Sequence, residues 1–241
     1  MDIVSYVLNT KIITIYIMAT NSIMDPIGRL MGLRYKSHPW HGVDIGDNVP
    51  HEVMCFIEVV PTDTIKYEVD KPSGYLRIDR PQKYSNVVPA LYGFVPQTFC
   101  GKEIGKYCSD KIGREGIHGD GDPLDILILT EKEVPHGDIL AKAIPIGGFR
   151  MLDGDAADDK IISVLKNDVV YGGFKSVEEL PDLVIERLKH YFLTYKDMPG
   201  ITHESEITHV YDADEAKQVI ELAIKDYKDR FDSLRSALQN Y

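Results

Sequence analysis

Near the middle of the chain, Asp120-Gly-Asp122-Pro123-Leu124-Asp125 carries three carboxylates at i, i+2 and i+5. Carboxylates this close repel one another: at ~5 Å and an effective dielectric of about 20, each pair costs roughly 3 kcal/mol. The run leads straight into the apolar segment Leu124–Leu129, where solvent gives little relief and a bound cation would give much. Oxygen-only ligands select hard ions such as Mg²⁺ or Mn²⁺ over zinc. A polar turn is the bland alternative for an isolated Asp-Gly-Asp. An EF-hand loop does not fit, because counting from Asp120 places Leu124 fifth and Asp125 sixth, where glycine is needed.

A second acidic run, Asp153-Gly-Asp155-Ala-Ala-Asp158-Asp159-Lys160, follows the next apolar strand. If the two runs lie at the ends of neighbouring strands, they share a site that holds several metal ions, the arrangement used for in-line displacement at phosphorus. Cations accompany them. Lys66 and Glu68 stand two apart, on one face of a strand; Asp79-Arg80 follows the next strand, and Tyr195-Lys196 closes a helical stretch. Such lysines and arginines are salt-bridge partners in the bland reading. In the functional one they bind phosphate oxygens, Arg80 bidentately.

The elements that would position these groups are short. Val53–Val60 reads as a strand ended by Pro61, Ile65–Val69 alternates, and Lys71-Pro-Ser-Gly74 is a turn leading into Tyr75–Ile78. Leu124–Leu129 reads as a buried strand, and Ile139–Ile146 as another, closed by Gly147-Gly148. Strands at this spacing predict a closed or nearly closed barrel. Two helices follow. Pro181 suits a first helical position, with Leu188, Tyr191, Phe192 and Tyr195 on one face. Asp212…Glu215 has capping-box spacing ahead of a stripe through Val219, Ile220, Ala223, Ile224, Tyr227 and Phe231.

Composition bounds the partners. A chain of 241 residues with 44% apolar content can bury a full core. Its net charge of −11 opposes nucleic-acid binding, which needs a basic face, and suits a protein that gathers divalent cations. Three cysteines, Cys55, Cys100 and Cys108, make no disulfide framework, so free thiols and a cytoplasmic, reducing compartment are expected. Residues 3–18 are apolar but interrupted by Asn9-Thr-Lys11 and shorter than the ~20 residues of a spanning helix; Asp2 precedes them, against a signal peptide. No membrane role is expected. The reading is an N-terminal extension over residues 1–24, with Met18 or Met24 as a natural start, and a single domain over 25–241.

Taken in order, the motifs resemble the family I soluble inorganic pyrophosphatases. The D-x-D-P-h-D signature is met by Asp120–Asp125, and it is accompanied by Ile57-Glu58, Ile65-Lys-Tyr-Glu68, Asp79-Arg80, Tyr92-Gly93, Asp153…Asp158-x-Lys160 and His190-Tyr-Phe-Leu-Thr-Tyr-Lys196. The match covers about residues 53–197. The resemblance implies an α+β fold with a mainly β core: an OB-like five-stranded β-barrel with two C-terminal helices packed on it. It implies hydrolysis of inorganic diphosphate to two phosphates by in-line attack of a metal-bridging water. Several Mg²⁺ ions would be required, with Mn²⁺ or Zn²⁺ as substitutes. On that resemblance Asp120, Asp125 and Asp158 are central metal ligands, Asp153 and Glu58 hold further ions, and Asp122 is the catalytic base. Lys66, Arg80, Lys160, Tyr195 and Lys196 bind phosphate, Tyr92 lines the site, and Glu68 is a site residue of undefined role. Asp155 and Asp159 match no family position and are expected to be solvated. A homo-oligomer is implied, a hexamer ahead of a dimer.

Two stretches depart from the compact pattern. Residues 100–119, with Lys102, Lys106, Lys111 and Arg114, are expected to form a surface loop rather than a basic lip on the site. His38 and His41 have metal-like spacing, yet with no third ligand nearby they are expected to pack or lie at the surface. The competing functional classes are a non-catalytic OB-type binding module and a structural calcium-binding barrel. Phosphate release from diphosphate separates both from the enzyme.

Overall fold

Strand β1 (Val53–Val59) is buried along nearly its whole length, as its run of β-branched and aromatic residues requires for a strand covered on both faces. It pairs antiparallel with β4 (Leu91–Phe94), which pairs antiparallel with β6 (Asp125–Leu129). β6 lies parallel to β9 (Lys160–Leu165), β9 runs antiparallel to β7 (Ile139–Asp153), and β7 returns to β1. These five strands close the ring of an OB-like barrel. The computed structural model describes residues 36–83, 85–196 and 204–239, with side chains to Phe231. The expected extension over residues 1–24 lies outside the described residues.

β7 is longer than its sequence pattern predicts. Instead of ending at Gly147-Gly148 it bulges between Pro145 and Gly147 and continues to Asp153. Its first part pairs β1, its middle pairs β9, and its end pairs β10 (Ser205–Asp212). The glycines mark a close approach and not a stop: a Cβ on Gly148 would lie 2.4 Å from the Tyr211 ring. Two short strands, β5 (His118–Gly119) and β8 (Ala156–Ala157), pair parallel and tie the two acidic loops together. The hairpin β2 (Ile65–Val69) and β3 (Leu76–Pro81) forms its own two-stranded sheet beside the ring.

Among the described residues three α-helices pack on the barrel, one more than the sequence pattern predicts. Helix α1 (Lys102–Ile112) replaces the expected loop, and Ile104 and Cys108 are buried on its inner face. Helix α2 (Asp182–Thr194) buries Leu188, Tyr191 and Phe192. Helix α3 (Ala213–Gln239) buries Ala216, Val219, Ile220 and Ala223 at i, i+3, i+4 and i+7. Asp212 caps it, its Oδ1 accepting from the backbone N–H of Asp214 (3.1 Å) and Glu215 (2.9 Å). Three buried apolar clusters form among the described residues, the smallest around Trp40, Phe56, Val69 and Phe94. On β6, Ile126 and Ile128 point to the core under α1 and α3, while Leu127 and Leu129 point to the core under α2. All three cysteines are buried and free, and Cys100 and Cys108 do not pair.

Helix α1 starts at Gly101, which offers no capping side chain. The buried Asp226 of α3 supplies one, accepting from the N–H of Gly101 (2.9 Å), Glu103 (2.9 Å) and Ile104 (3.0 Å). Asp226→Ala is expected to cost about 2 kcal/mol and about 6 °C of melting midpoint. Thermal denaturation followed by circular dichroism checks this, and an unchanged midpoint counts against the cap.

His38 and His41 serve packing. Nε2 of His38 lies 2.9 Å from the Lys71 carbonyl, and His41 stacks on Trp40 with ring centroids 4.4 Å apart. Burial, helped by the nearby His38, pushes the His41 pKa down from 6.5 to about 4. The folded state thus favours neutral His41, and this contribution, complete above the unfolded pKa, is lost as pH falls from about 6.5 towards 4. After discounting for partial exposure, the loss is about 1 kcal/mol. Melting midpoints of wild type and His41→Gln between pH 7 and pH 4.5 test it: the variant has the flatter acid limb.

Candidate active site

The parallel pairing of β6 and β9 sets Asp125 directly opposite Lys160. Both acidic loops then arrive at the same end of the barrel, one before β6 and the other before β9. Between them opens a cavity of about 320 Å³. All thirteen residues expected at the site line it, from Glu58 on β1 to Lys196 just past α2. Asp155 stays at the surface, as expected, but Asp159 does not: it turns away from the cavity and is only 3% exposed, ion-paired to Arg150. Strand alternation explains the error, since Asp158 and Lys160 face the cavity and the residue between them must face the interior.

The first acidic loop is shaped by its backbone. Gly121 takes a left-handed φ of 79°, which lets the chain reverse between two aspartates. Asp120 Oδ1 accepts the Asp122 N–H at 2.9 Å, and the Asp122 carbonyl accepts the Cys100 N–H at 2.8 Å. Thr98 Oγ1 accepts the Leu124 N–H at 2.9 Å. These contacts hold three carboxylates at fixed positions despite their repulsion.

Ammonium groups lie among the acids. Lys160 bridges Asp125 and Asp158, Lys196 pairs with Asp153, and Lys71 pairs with Asp122. Tyr92 donates from its hydroxyl to Asp125 Oδ2 at 2.6 Å. On the hairpin, Lys66 Nζ lies 3.1 Å and Arg80 Nη1 2.6 Å from Asp79 Oδ2, while Arg77 donates to Glu68 Oε1 at 2.6 Å. The Arg80 guanidinium stands 5.6 Å and the Lys196 ammonium 5.5 Å from the centre of the Tyr195 ring, which holds both cations at the rim.

Eight carboxylates and five cationic side chains line the cavity, an excess of three negative charges. The protonation equilibria register it. Burial, together with Asp158, pushes the Asp120 carboxyl up to about 8. Burial also pushes Glu58 up to about 8, against its hydrogen bond from the Val69 N–H at 2.7 Å. Asp158 is raised by burial and by Asp125, with Lys160 opposing. Burial alone would lower Lys160, but Asp125 and Asp158 overcome it and hold the ammonium firmly charged.

Among the described residues no three acidic, histidine or cysteine side chains converge on one point as they stand, since lysines lie between them. The donor set nevertheless fits hard divalent ions. Every acid in the cavity is a carboxylate, with no histidine or cysteine, and the uncompensated charge is negative. Sequence reasoning missed Lys71, Asp79 and Trp40. Asp79 stands beside Arg80 in the sequence, whereas Lys71 carries only the signal of a turn. Trp40 lies far from any motif, and only the fold brings it to the wall.

A closed five-stranded barrel carries a carboxylate cluster rimmed by lysine and arginine, a donor set that suits divalent cations together with an anionic ligand. The family profile described as inorganic pyrophosphatase matches residues 55–228. The inorganic pyrophosphatase of Chlamydia trachomatis is 47% identical over 200 residues, covering 81% of this chain and 96% of the relative. The soluble inorganic pyrophosphatase 2 of Chlamydomonas reinhardtii is 35% identical over 195 residues, 81% of this chain and 91% of its own length. The crystal structure of the Thermus thermophilus inorganic pyrophosphatase superposes with a TM-score of 0.66 at 27% identity, covering 80% of this chain and 99% of that one. The chain belongs to the inorganic pyrophosphatase family.

The bridging Lys160 generates a test. Removing one member of a buried ion pair costs about 3 kcal/mol or more, so Lys160→Met lowers the melting midpoint in chelator. Added Mg²⁺ then raises the variant's midpoint more than that of wild type; equal shifts count against the charge excess.

Proposed function

We propose that this chain hydrolyses inorganic diphosphate to two phosphates at the barrel-end cavity, with several Mg²⁺ ions and with Mn²⁺ or Zn²⁺ as substitutes. The observation that carries the reading is the joining of two acidic loops and five cationic side chains in one cavity of a pyrophosphatase fold. Asp120, Asp125, Asp153, Asp158 and Glu58 would hold the ions. Divalent ions held there would supply Lewis-acid charge that neutralises phosphate oxygens and makes water easier to deprotonate.

The chain's own groups do the rest. Lys66, Arg80, Lys160, Tyr195 and Lys196 bind and orient the two phosphates, Arg80 through two N–H donors. These cations now satisfy neighbouring carboxylates, and substrate oxygens exchange places with them. Asp122 stands at the more open edge, about half exposed, where it can reach water; it takes the proton as the water attacks in line with the leaving phosphate. Tyr92 fixes Asp125 through its hydroxyl, and Glu68 anchors the hairpin through Arg77 and Lys66.

Phosphate release from diphosphate is expected with Mg²⁺ and is abolished by a chelator. Asp122→Asn lowers kcat by about 10²-fold or more with the fold retained. An active chelated enzyme sinks the metal requirement, and an active Asp122→Asn sinks the base assignment. The family resemblance supports a homo-oligomer, a hexamer ahead of a dimer, and the free thiols support a cytoplasmic setting. No described helix is long and apolar enough to cross a membrane. The acidic balance supports no nucleic-acid role.

A further inference from the structure

Behind the cavity lies an ion pair that the proposed chemistry does not use. Arg150, in the part of β7 that pairs with β10, and Asp159 both have fully buried side chains. The Arg150 Nε lies 3.0 Å from each Asp159 oxygen, and Nη2 lies 3.0 Å from Oδ2. Tyr211 of β10 donates to the same carboxylate at 3.2 Å. The guanidinium lies near two rings, 4.9 Å from the centre of Tyr107 on α1 and 5.2 Å from that of Tyr211. Tyr211 comes this close only because Gly148 has no side chain. Glu215 of α3 completes the surroundings, 3.2 Å from Nη2.

Stability alone does not account for such a cluster, since well-packed apolar residues often replace a buried ion pair at no loss. Its place in the chain does. Asp159 is flanked by Asp158 and Lys160, whose side chains enter the cavity and meet each other there. A carboxylate held by the Nε–H of a buried guanidinium and by the Tyr211 hydroxyl fixes the backbone between them, and a misplacement of about 1 Å in a catalytic group can cost 10²-fold in rate. We propose that the Arg150–Asp159 pair, clasped by Tyr107 and Tyr211, is a positioning device that aims Asp158 and Lys160 into the diphosphate site. This inference rests on the proposed hydrolysis. It also gives helix α1 a function, since Tyr107 reaches the site's far side from a segment that lines no part of the cavity.

Two variants test it: Asp159→Asn, and Arg150→Met combined with Asp159→Leu. Wild type with Mg²⁺ and diphosphate is assayed first, and failure there refutes the hydrolytic reading rather than the positioning. With active wild type, both variants are expected to lose about tenfold or more in kcat. Mn²⁺ binding, followed by electron paramagnetic resonance without substrate, is expected to weaken about tenfold, because Asp158 is no longer aimed. The double variant is expected to keep the wild-type melting midpoint. If it melts as wild type does and retains wild-type kcat and Mn²⁺ affinity, the pair is only structural and the proposal is overturned. If the double variant melts early, Asp159→Asn assayed well below its own midpoint decides in the same way.

Discussion

Like charges forced together at the end of a barrel set the terms for the rest of this structure. The parallel register of β6 and β9 brings two acidic loops to one cavity, and the repulsion that follows must be answered locally. Lysine ammonium groups answer part of it, the Tyr92 hydroxyl answers a little, and shifted protonation of Asp120 and Glu58 absorbs more. An excess of negative charge remains, and it is the physical reason such a pocket favours small divalent ions. Without the β6–β9 pairing the same residues would be two ordinary polar turns.

The supporting architecture is divided by task. The ring strands carry three of the carboxylates and one lysine: Glu58 on β1, Asp125 on β6, Asp153 on β7 and Lys160 on β9. The β2–β3 hairpin forms a separate sheet and carries Lys66, Glu68, Asp79 and Arg80. Of the five residues proposed to hold metal, three thus stand on ring strands, and most of those proposed to bind phosphate stand on the hairpin and at the end of α2. This matches what each must do, since ion binding needs fixed geometry while substrate must enter and leave.

The site was more legible in the sequence than the frame around it. The D-x-D-P-h-D run, the acid-lysine spacing of Asp158 and Lys160, and the order of the cationic motifs are local patterns that survive without knowledge of the fold. β1, β2 and β6 were readable for the same reason, as apolar or alternating runs bounded by turn residues. Helix α1 was not, because Gly101, Gly105 and Gly113 punctuate it and its cap comes from Asp226, far along the chain. β7 was cut short at two glycines that serve a close approach to Tyr211. Asp159 looked like surplus surface charge, for its partner sits nine residues earlier within an apolar strand. Helix α1 and the far half of β7 share one property: each depends on a contact between segments distant in the chain.

Trp40 is the chain's single tryptophan, and its indole forms part of the cavity wall. Its N–H is held by the Thr98 carbonyl at 2.7 Å, and its ring meets Phe231 of α3 edge-on at 5.6 Å. The molecule therefore carries a built-in optical probe, free of overlap from any second indole. Its emission is placed to report charge arriving in the cavity that it lines and, through Phe231, the seating of the C-terminal helix. Occupancy of the site and integrity of the frame can be followed in the unlabelled protein from one side chain.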